Sequence, residues 1–325
     1  MKTAFVTGVT GFLGLNLAAL LREAGWRVVA IHRPASRVEG LRDMGVELTP
    51  GSIDDPASLE RAMPEGVDAV FHVAGNTSMW SRKAAEQTRD NVEGTRNVAA
   101  AARTRGARRM VHTSSVAVYG LGDFRANEAT PPAEDCWVNY FRTKRLAERE
   151  VEAAAAQGLD TVILRPGNIV GPRDRSNWAH LIKLVSAGNL PGTPPGRASW
   201  CHVREVARAH LAAAERGRPG AAYGLSCVEA SYADFVSAVA AATGGRAPKV
   251  MPALVLRAYA RVLSMGSALT GREPEVTPEG IALTCNRVTQ DSSLAQRELD
   301  YKPSTFEEMV TDCVAWMRAD GLLNG

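Results

Sequence analysis

Nowhere along its 325 residues does the chain hold a run of about 18 apolar residues, so no segment reads as a membrane-spanning helix and no membrane partner is expected. Cysteine is scarce as well. Cys136, Cys201, Cys227, Cys285 and Cys313 are odd in number, scattered and without CxxC spacing, which argues against a disulfide framework or a zinc site. Reduced thiols in a cytoplasmic protein are the expectation. The histidines (His32, His72, His112, His180, His202, His210) lack ligand spacing, so no metal is implied, and His72 and His112 fall at strand positions suited to a core. A dominant charge is missing too: the formal net charge is +3, and Arg103, Arg105, Arg108 and Arg109 form only a short cluster. Such a cluster suits a solvated helix end, and no nucleic-acid partner is expected. The N-terminal MKTAFVTGVTGFLG is apolar, yet it has no small-residue cleavage site and runs into a glycine-rich turn. It reads as a first strand rather than a signal peptide.

What is present is ordinary for a soluble globular protein, 45% hydrophobic and 22% charged, in a chain long enough for a large core plus a smaller lobe. Short β-rich runs at Thr3–Thr7, Arg27–Ile31, Val46–Thr49, Ala69–Val73, Arg109–Thr113 and Thr161–Arg165 alternate with helical stretches at Phe12–Ala24, Pro56–Met63, Lys83–Arg105 and Asn139–Gln157. This alternation predicts an α/β fold, a doubly wound parallel sheet of Rossmann type, because each parallel crossover needs a covering element. Ligands then bind beyond the carboxyl ends of the strands. After Gly171 proline and glycine become frequent and helices dominate. Residues 1–170 are therefore expected to form the dinucleotide-binding domain, with 203–225 returning to it, and 171–325 a mostly helical substrate lobe.

The turn Thr7-Gly8-Val9-Thr10-Gly11-Phe12-Leu13-Gly14 follows the first strand and opens a helix. Glycines there let the backbone approach a pyrophosphate, and the helix start offers N–H groups to it. Gly8, Thr10, Gly11, Phe12, Leu13 and Gly14 are thus candidate cofactor contacts. At the end of the second strand stands Ile31-His32-Arg33-Pro34-Ala35-Ser36-Arg37, with no acid before Glu39. A carboxylate there would accept bonds from the ribose hydroxyls, whereas a guanidinium binds a 2′-phosphate. Arg33 and Arg37 accordingly point to NADP(H). Tyr140 and Lys144, four apart in a helical stretch, share one face, where an ammonium lowers the pKa of a phenol and eases proton exchange.

These motifs, together with FHVAG (71–75), NVEGT (91–95), HTSSVAVYG (112–120), YFRTK (140–144) and LRPGNIVGP (164–172), resemble in order and spacing those of extended short-chain dehydrogenases/reductases. The resemblance covers about half the chain and implies several further roles. Ser115, 25 residues before Tyr140, would bond the substrate carbonyl, with Ser114 as the alternative. Lys144 would also hold the nicotinamide ribose, which places Tyr140 and Lys144 among the cofactor residues. Asn91 would either steady the central helix or take part in a proton relay. Val73, Ala74, Gly75 and Pro166 would border the dinucleotide. Ser52 and Ile53 would lie by the adenine, Ser52 standing where many members carry aspartate.

The implied reaction is reduction of a ketone or aldehyde of a hydrophobic or aromatic small molecule, with Tyr140 as proton donor, on the dihydroflavonol reductase and hydroxysteroid dehydrogenase side of the family. Met79, Trp80, Trp137, Asn168 and Trp178 are the candidate substrate contacts, and Trp200 belongs to the same aromatic set. A nucleotide-sugar epimerase is the alternative. Against it, Ser115-Val116-Ala117 lacks the Thr-Asp-Glu of dehydratases, and Arg197 is one position out of register for gripping a diphosphate. A dinucleotide-binding protein without turnover is the third reading, opposed by the retained Tyr140 and Lys144. A homodimer through 83–105 and 140–157 is a further expectation of the family.

Overall fold

The protein, seen in a computed structural model that describes residues 1–323, is built on one parallel sheet. Its strands are β1 (Thr3–Thr7), β2 (Arg27–His32), β3 (Glu47–Pro50), β4 (Ala69–His72), β5 (Met110–Thr113), β6 (Thr161–Pro166) and β7 (Ala222–Leu225), in the order β7-β6-β5-β4-β1-β2-β3. All six pairings are parallel. Alternate residues of the central strands feed two separate cores. Val6, Val28, Phe71, Val111 and Leu164 pack with α1 (Phe12–Glu23) on one face. Phe5, Val29, Val70, Met110 and Ile163 pack on the other, with α2 (Gly94–Thr104) and α3 (Asn139–Ala156). Sheets covered on both sides are apolar along the whole strand, which is how these runs read. The Rossmann-type α/β fold is thereby established.

Helix α4 (Val203–Arg216) lies on the α1 side of the sheet, and β7 extends the sheet beside β6. Helix Ser293–Leu299 joins this side as well, through buried Ala295 and Leu299, a return that the sequence reading did not assign. Elsewhere the C-terminal part forms a small sheet of Asn168–Val170, Arg197–His202 and Val228–Ser231. Around it pack helices Trp178–Ser186, Tyr232–Thr243 and Phe306–Ala319.

The expected continuous helix over 83–105 is interrupted. A short 3₁₀ turn at Ser81–Lys83 leads into helix Ala84–Thr88, and a π turn at Arg89–Glu93 precedes α2. Such widened turns occur where a helix must aim a side chain off its regular path, and here the turn contains Asn91.

Helix α3 is fastened to β6 by a buried ion pair. Arg165 donates from Nε and Nη2 to the two carboxylate oxygens of Glu148, each at 2.8 Å, and from Nη1 to the Tyr119 hydroxyl at 3.0 Å. Glu148 has no exposed surface. Removing one partner of such a pair strands the other charge, at a cost of about 3 kcal/mol or more. Glu148→Gln should therefore lower unfolding stability by about that amount in urea denaturation, and an unchanged midpoint would show that the pair does not anchor the helix.

Candidate active site

Gly8 adopts φ +71°, and a Cβ there would lie 2.5 Å from the Ala74 amide nitrogen, so this turn accepts only glycine without a backbone shift. Gly14, in the first turn of α1, packs so closely on the Gly8 carbonyl that a side chain would collide with it. The result is a cleft of about 520 Å³ above the ends of β1, β2 and β4. Gly8, Thr10, Gly11, Arg33, Ser52, Ile53, Val73, Ala74 and Gly75 line it, as the sequence suggested, and this backbone cradle fits a dinucleotide pyrophosphate.

The remaining candidates for cofactor contact fall outside the lining. Leu13 is buried in the core, Phe12 packs against that core, Arg37 is exposed and does not line the cleft, and Pro166 is buried at the end of β6. Among the lining residues that the sequence reading did not name as contacts are Ser36 and Arg89, together with the acids Asp54, Glu86 and Asp90. The Ser36 amide closes a turn onto the Arg33 carbonyl at 2.9 Å, which presents both side chains on one loop. A polar residue three places after a basic one was the available signal.

Beyond the cleft, α3 brings Tyr140 and Lys144 to the strand ends. Lys144 is buried and its ammonium donates to the Thr113 carbonyl at 2.7 Å. Burial lowers its pKa to about 8, opposed by the Glu148 carboxylate one turn along. Tyr140 does not show the lowered pKa that its lysine neighbour suggested. Desolvation pushes the phenol above its ordinary value, and a hydrogen bond with Ser115 offsets this in part. The Lys144 ammonium is bonded to a carbonyl of β5 rather than to the phenol, and burial outweighs the lowering effect of Ser115. A phenol kept protonated beside a serine has the chemistry needed to donate a proton. Ser115 also accepts the Ala117 amide at 3.1 Å and caps the 3₁₀ turn Val116–Tyr119, while the buried Ser114 hydroxyl has no partner among the described residues.

Behind Lys144 lies a set of neutral histidines. His72 bridges the hydroxyls of Thr7 and Thr95 at 2.8 and 2.9 Å, and burial lowers its pKa to about 3, with the Lys144 charge adding to the effect. His112 is buried beside it, the ring centroids 5.2 Å apart. His210 of α4 has Nδ1 2.7 Å from the Val206 carbonyl and Nε2 2.7 Å from the Thr113 hydroxyl. Donation from Nδ1 leaves Nε2 to accept from Thr113, and this holds in place the strand end that receives Lys144.

Asn91 is fully engaged. Its carboxamide accepts the Asn76 amide at 2.7 Å and donates to the Asn76 carbonyl at 2.9 Å and to the Thr143 hydroxyl at 3.1 Å. Between the two roles left open above, these contacts favour steadying: the side chain ties the loop after β4 to α3.

A second cavity, of about 350 Å³, has Tyr140 in its wall together with Met79, Trp80 and Trp137, and shares Ser78 with the dinucleotide cleft. Asn168 and Trp178 do not line it. Asn168 bonds the Tyr232 hydroxyl at 3.4 Å, and Trp178 packs with Trp200, Tyr232 and Phe235 at ring separations of 5.0, 5.9 and 5.7 Å. Trp200 is completely buried and stacks on Phe235, so these aromatics build the lobe's core.

A doubly wound sheet, a glycine cradle and a Tyr/Lys helix at its edge define a dinucleotide-binding α/β protein of Rossmann type. The model of the NAD dependent epimerase/dehydratase family matches residues 4–226, and the chain belongs to that family, among the extended short-chain dehydrogenases/reductases, whose members bind a nicotinamide dinucleotide. It is 34% identical to a putative dihydroflavonol 4-reductase of Synechocystis, over 98% of this chain and 95% of the relative. It is 33% identical to a 4-hydroxy-2-methyl-3-oxo-4-farnesyl-3,4-dihydroquinoline-1-oxide ketoreductase of Stigmatella aurantiaca, over 93% and 92%. The crystal structure of gox2253 superposes over the whole of both chains with a TM-score of 0.85 at 33% identity.

Asn91→Ala leaves the Asn76 amide without its partner, at about 1–3 kcal/mol for the group left unsatisfied, while the Asn76 carbonyl keeps its bond from Gln87. The expected result is a lower melting temperature and faster amide exchange in the loop after β4. Unaltered exchange there would mean that Asn91 is not what holds it.

Proposed function

We propose that the chain is an NADP(H)-dependent reductase that converts a ketone or aldehyde of a hydrophobic or aromatic small molecule to the alcohol, an oxidoreductase of CH–OH groups. One observation carries the reading: Tyr140, whose phenol burial keeps protonated beside Ser115, belongs to the wall of an aromatic-lined cavity that adjoins the dinucleotide cleft. The reductase names of two relatives support it. A bound nicotinamide supplies hydride to the carbonyl carbon. Tyr140 gives its proton to the carbonyl oxygen, Ser115 orients that oxygen, and Lys144 keeps a positive charge beside the site. Met79, Trp80 and Trp137 give the cavity apolar wall surface that favours an apolar substrate. Arg33, at the rim of the cleft with Ser36 and without a carboxylate at the end of β2, favours the 2′-phosphate of NADP(H).

The test is binding of NADPH and NADH to the purified protein, followed by oxidation of each with a panel of aromatic and aliphatic carbonyls. Tight NADPH binding with carbonyl-dependent turnover is expected. NAD(H) retained through purification without such turnover would instead favour the epimerase chemistry that the family name also covers. Arg33→Ala should weaken NADPH binding about tenfold or more while leaving NADH little changed, because a charge-assisted bond is lost with the former alone. Equal losses for both would sink the 2′-phosphate assignment.

The pH dependence has a definite sign. Lys144 is protonated below about 8 and loses its charge above it. The kcat/KM for reduction should therefore fall as pH rises through about 8, with the limb displaced or absent in Lys144→Met. A profile flat through pH 9 would contradict this role.

A further inference from the structure

Six of the ten large apolar side chains that stand exposed among the described residues fall within residues 250–265. They belong to helix Ala253–Thr270 and its approach. This helix buries Leu256 and Ala260 against Ile281 of the neighbouring helix Pro278–Thr284, as an amphipathic helix should. Its outer face is apolar too. Leu254 is 77% exposed, Val262 67% and Met265 72%, and with Ala258 they fall on one stripe at i, i+4, i+8 and i+11. Helices apolar on both faces are normally enclosed, and nothing among the described residues encloses this one. From Arg246 to Arg272 the chain also carries five basic residues and no acidic one. Arg257 and Arg261 are exposed beside the stripe, and they share a surface depression with Leu121 and Trp137.

We propose that this helix docks on the surface of an anionic phospholipid bilayer, lying in the interface with its outer stripe among the acyl chains and its arginines at the headgroups. An apolar face bordered by basic residues suits a negatively charged surface. The same charges oppose the other simple occupant, a second copy of the helix, since two unbalanced basic faces repel each other. Among the described residues no helix is long and apolar enough to cross a membrane, and the contact we propose is a peripheral one. Trp137, 62% exposed next to the arginines, extends the patch with a side chain suited to that boundary, and it also lines the cavity of Tyr140. Trp137 thus joins that cavity to the lipid-facing patch. On the reductase reading above, this is the route by which an apolar carbonyl compound dissolved in the membrane enters.

The test is co-sedimentation of the full chain with phosphatidylcholine vesicles, with and without phosphatidylglycerol. Binding is expected only to the anionic vesicles and should weaken with salt. L254E/M265E should abolish it, and R257Q/R261Q should weaken it about fivefold for each charge removed. A melting curve of L254E/M265E establishes that this variant is folded, and R257Q/R261Q carries the test if it is not. Absence of sedimentation, equal binding to neutral vesicles, or unchanged binding by a folded variant overturns the proposal. So does a lipid-free dimer that L254E/M265E dissociates. The assay needs no turnover, so failure of the reductase reading would leave its outcome intact.

Discussion

A carboxylate with no exposed surface must find a cation, and the way Glu148 does so fixes the geometry of the site. Its two-pronged contact with Arg165 locks α3 to β6, and Tyr119 fills the remaining face of the guanidinium. One turn earlier on the same helix, Lys144 reaches across to the Thr113 carbonyl at the end of β5. Two contacts of different chemistry at two levels leave α3 little freedom to slide or rotate. Glu148 does a second thing: it opposes the burial that pulls the Lys144 pKa down. The anchor and the electrostatic tuning of the site are therefore the same residue.

Further polar ties converge on this strand–helix junction. His210 holds the Thr113 side chain from the opposite face of the sheet, and Asn91 ties the loop after β4 to Thr143 of α3. The glycine turn after β1 sits against Ala74 of that loop. Glycine cradle, Tyr140 helix and cavity wall thus belong to one connected set of packed elements, as the proposed alignment of a donor and an acceptor requires.

Much of this was legible in the sequence because it depends on local chemistry. Strand–helix alternation gave the sheet, the glycines after β1 gave the cradle, and a tyrosine four residues before a lysine placed both on one face. What depends on distant partners was not legible. Glu148 and Arg165 lie in separate elements, and nothing local marks them as a pair. Periodicity carries no sign of the π turn around Asn91. Trp178 and Trp200 looked like pocket residues by type, yet they stack on each other and on Phe235 within the lobe. The outer stripe of helix Ala253–Thr270 is not legible for another reason: the helix is not long and apolar enough to read as a membrane span, and an apolar outer face stands out only once the inner face is seen to be packed already.

The central claim is that Tyr140 and the dinucleotide cleft together reduce a carbonyl. The most direct measurement uses NADPH deuterated at either face of nicotinamide C4 and follows the label by mass spectrometry. The account predicts deuterium from one of the two faces on the carbinol carbon of the product, at a rate that falls about a hundredfold or more in Tyr140→Phe. Product that carries no label, or label transfer that Tyr140→Phe leaves undiminished, would contradict it.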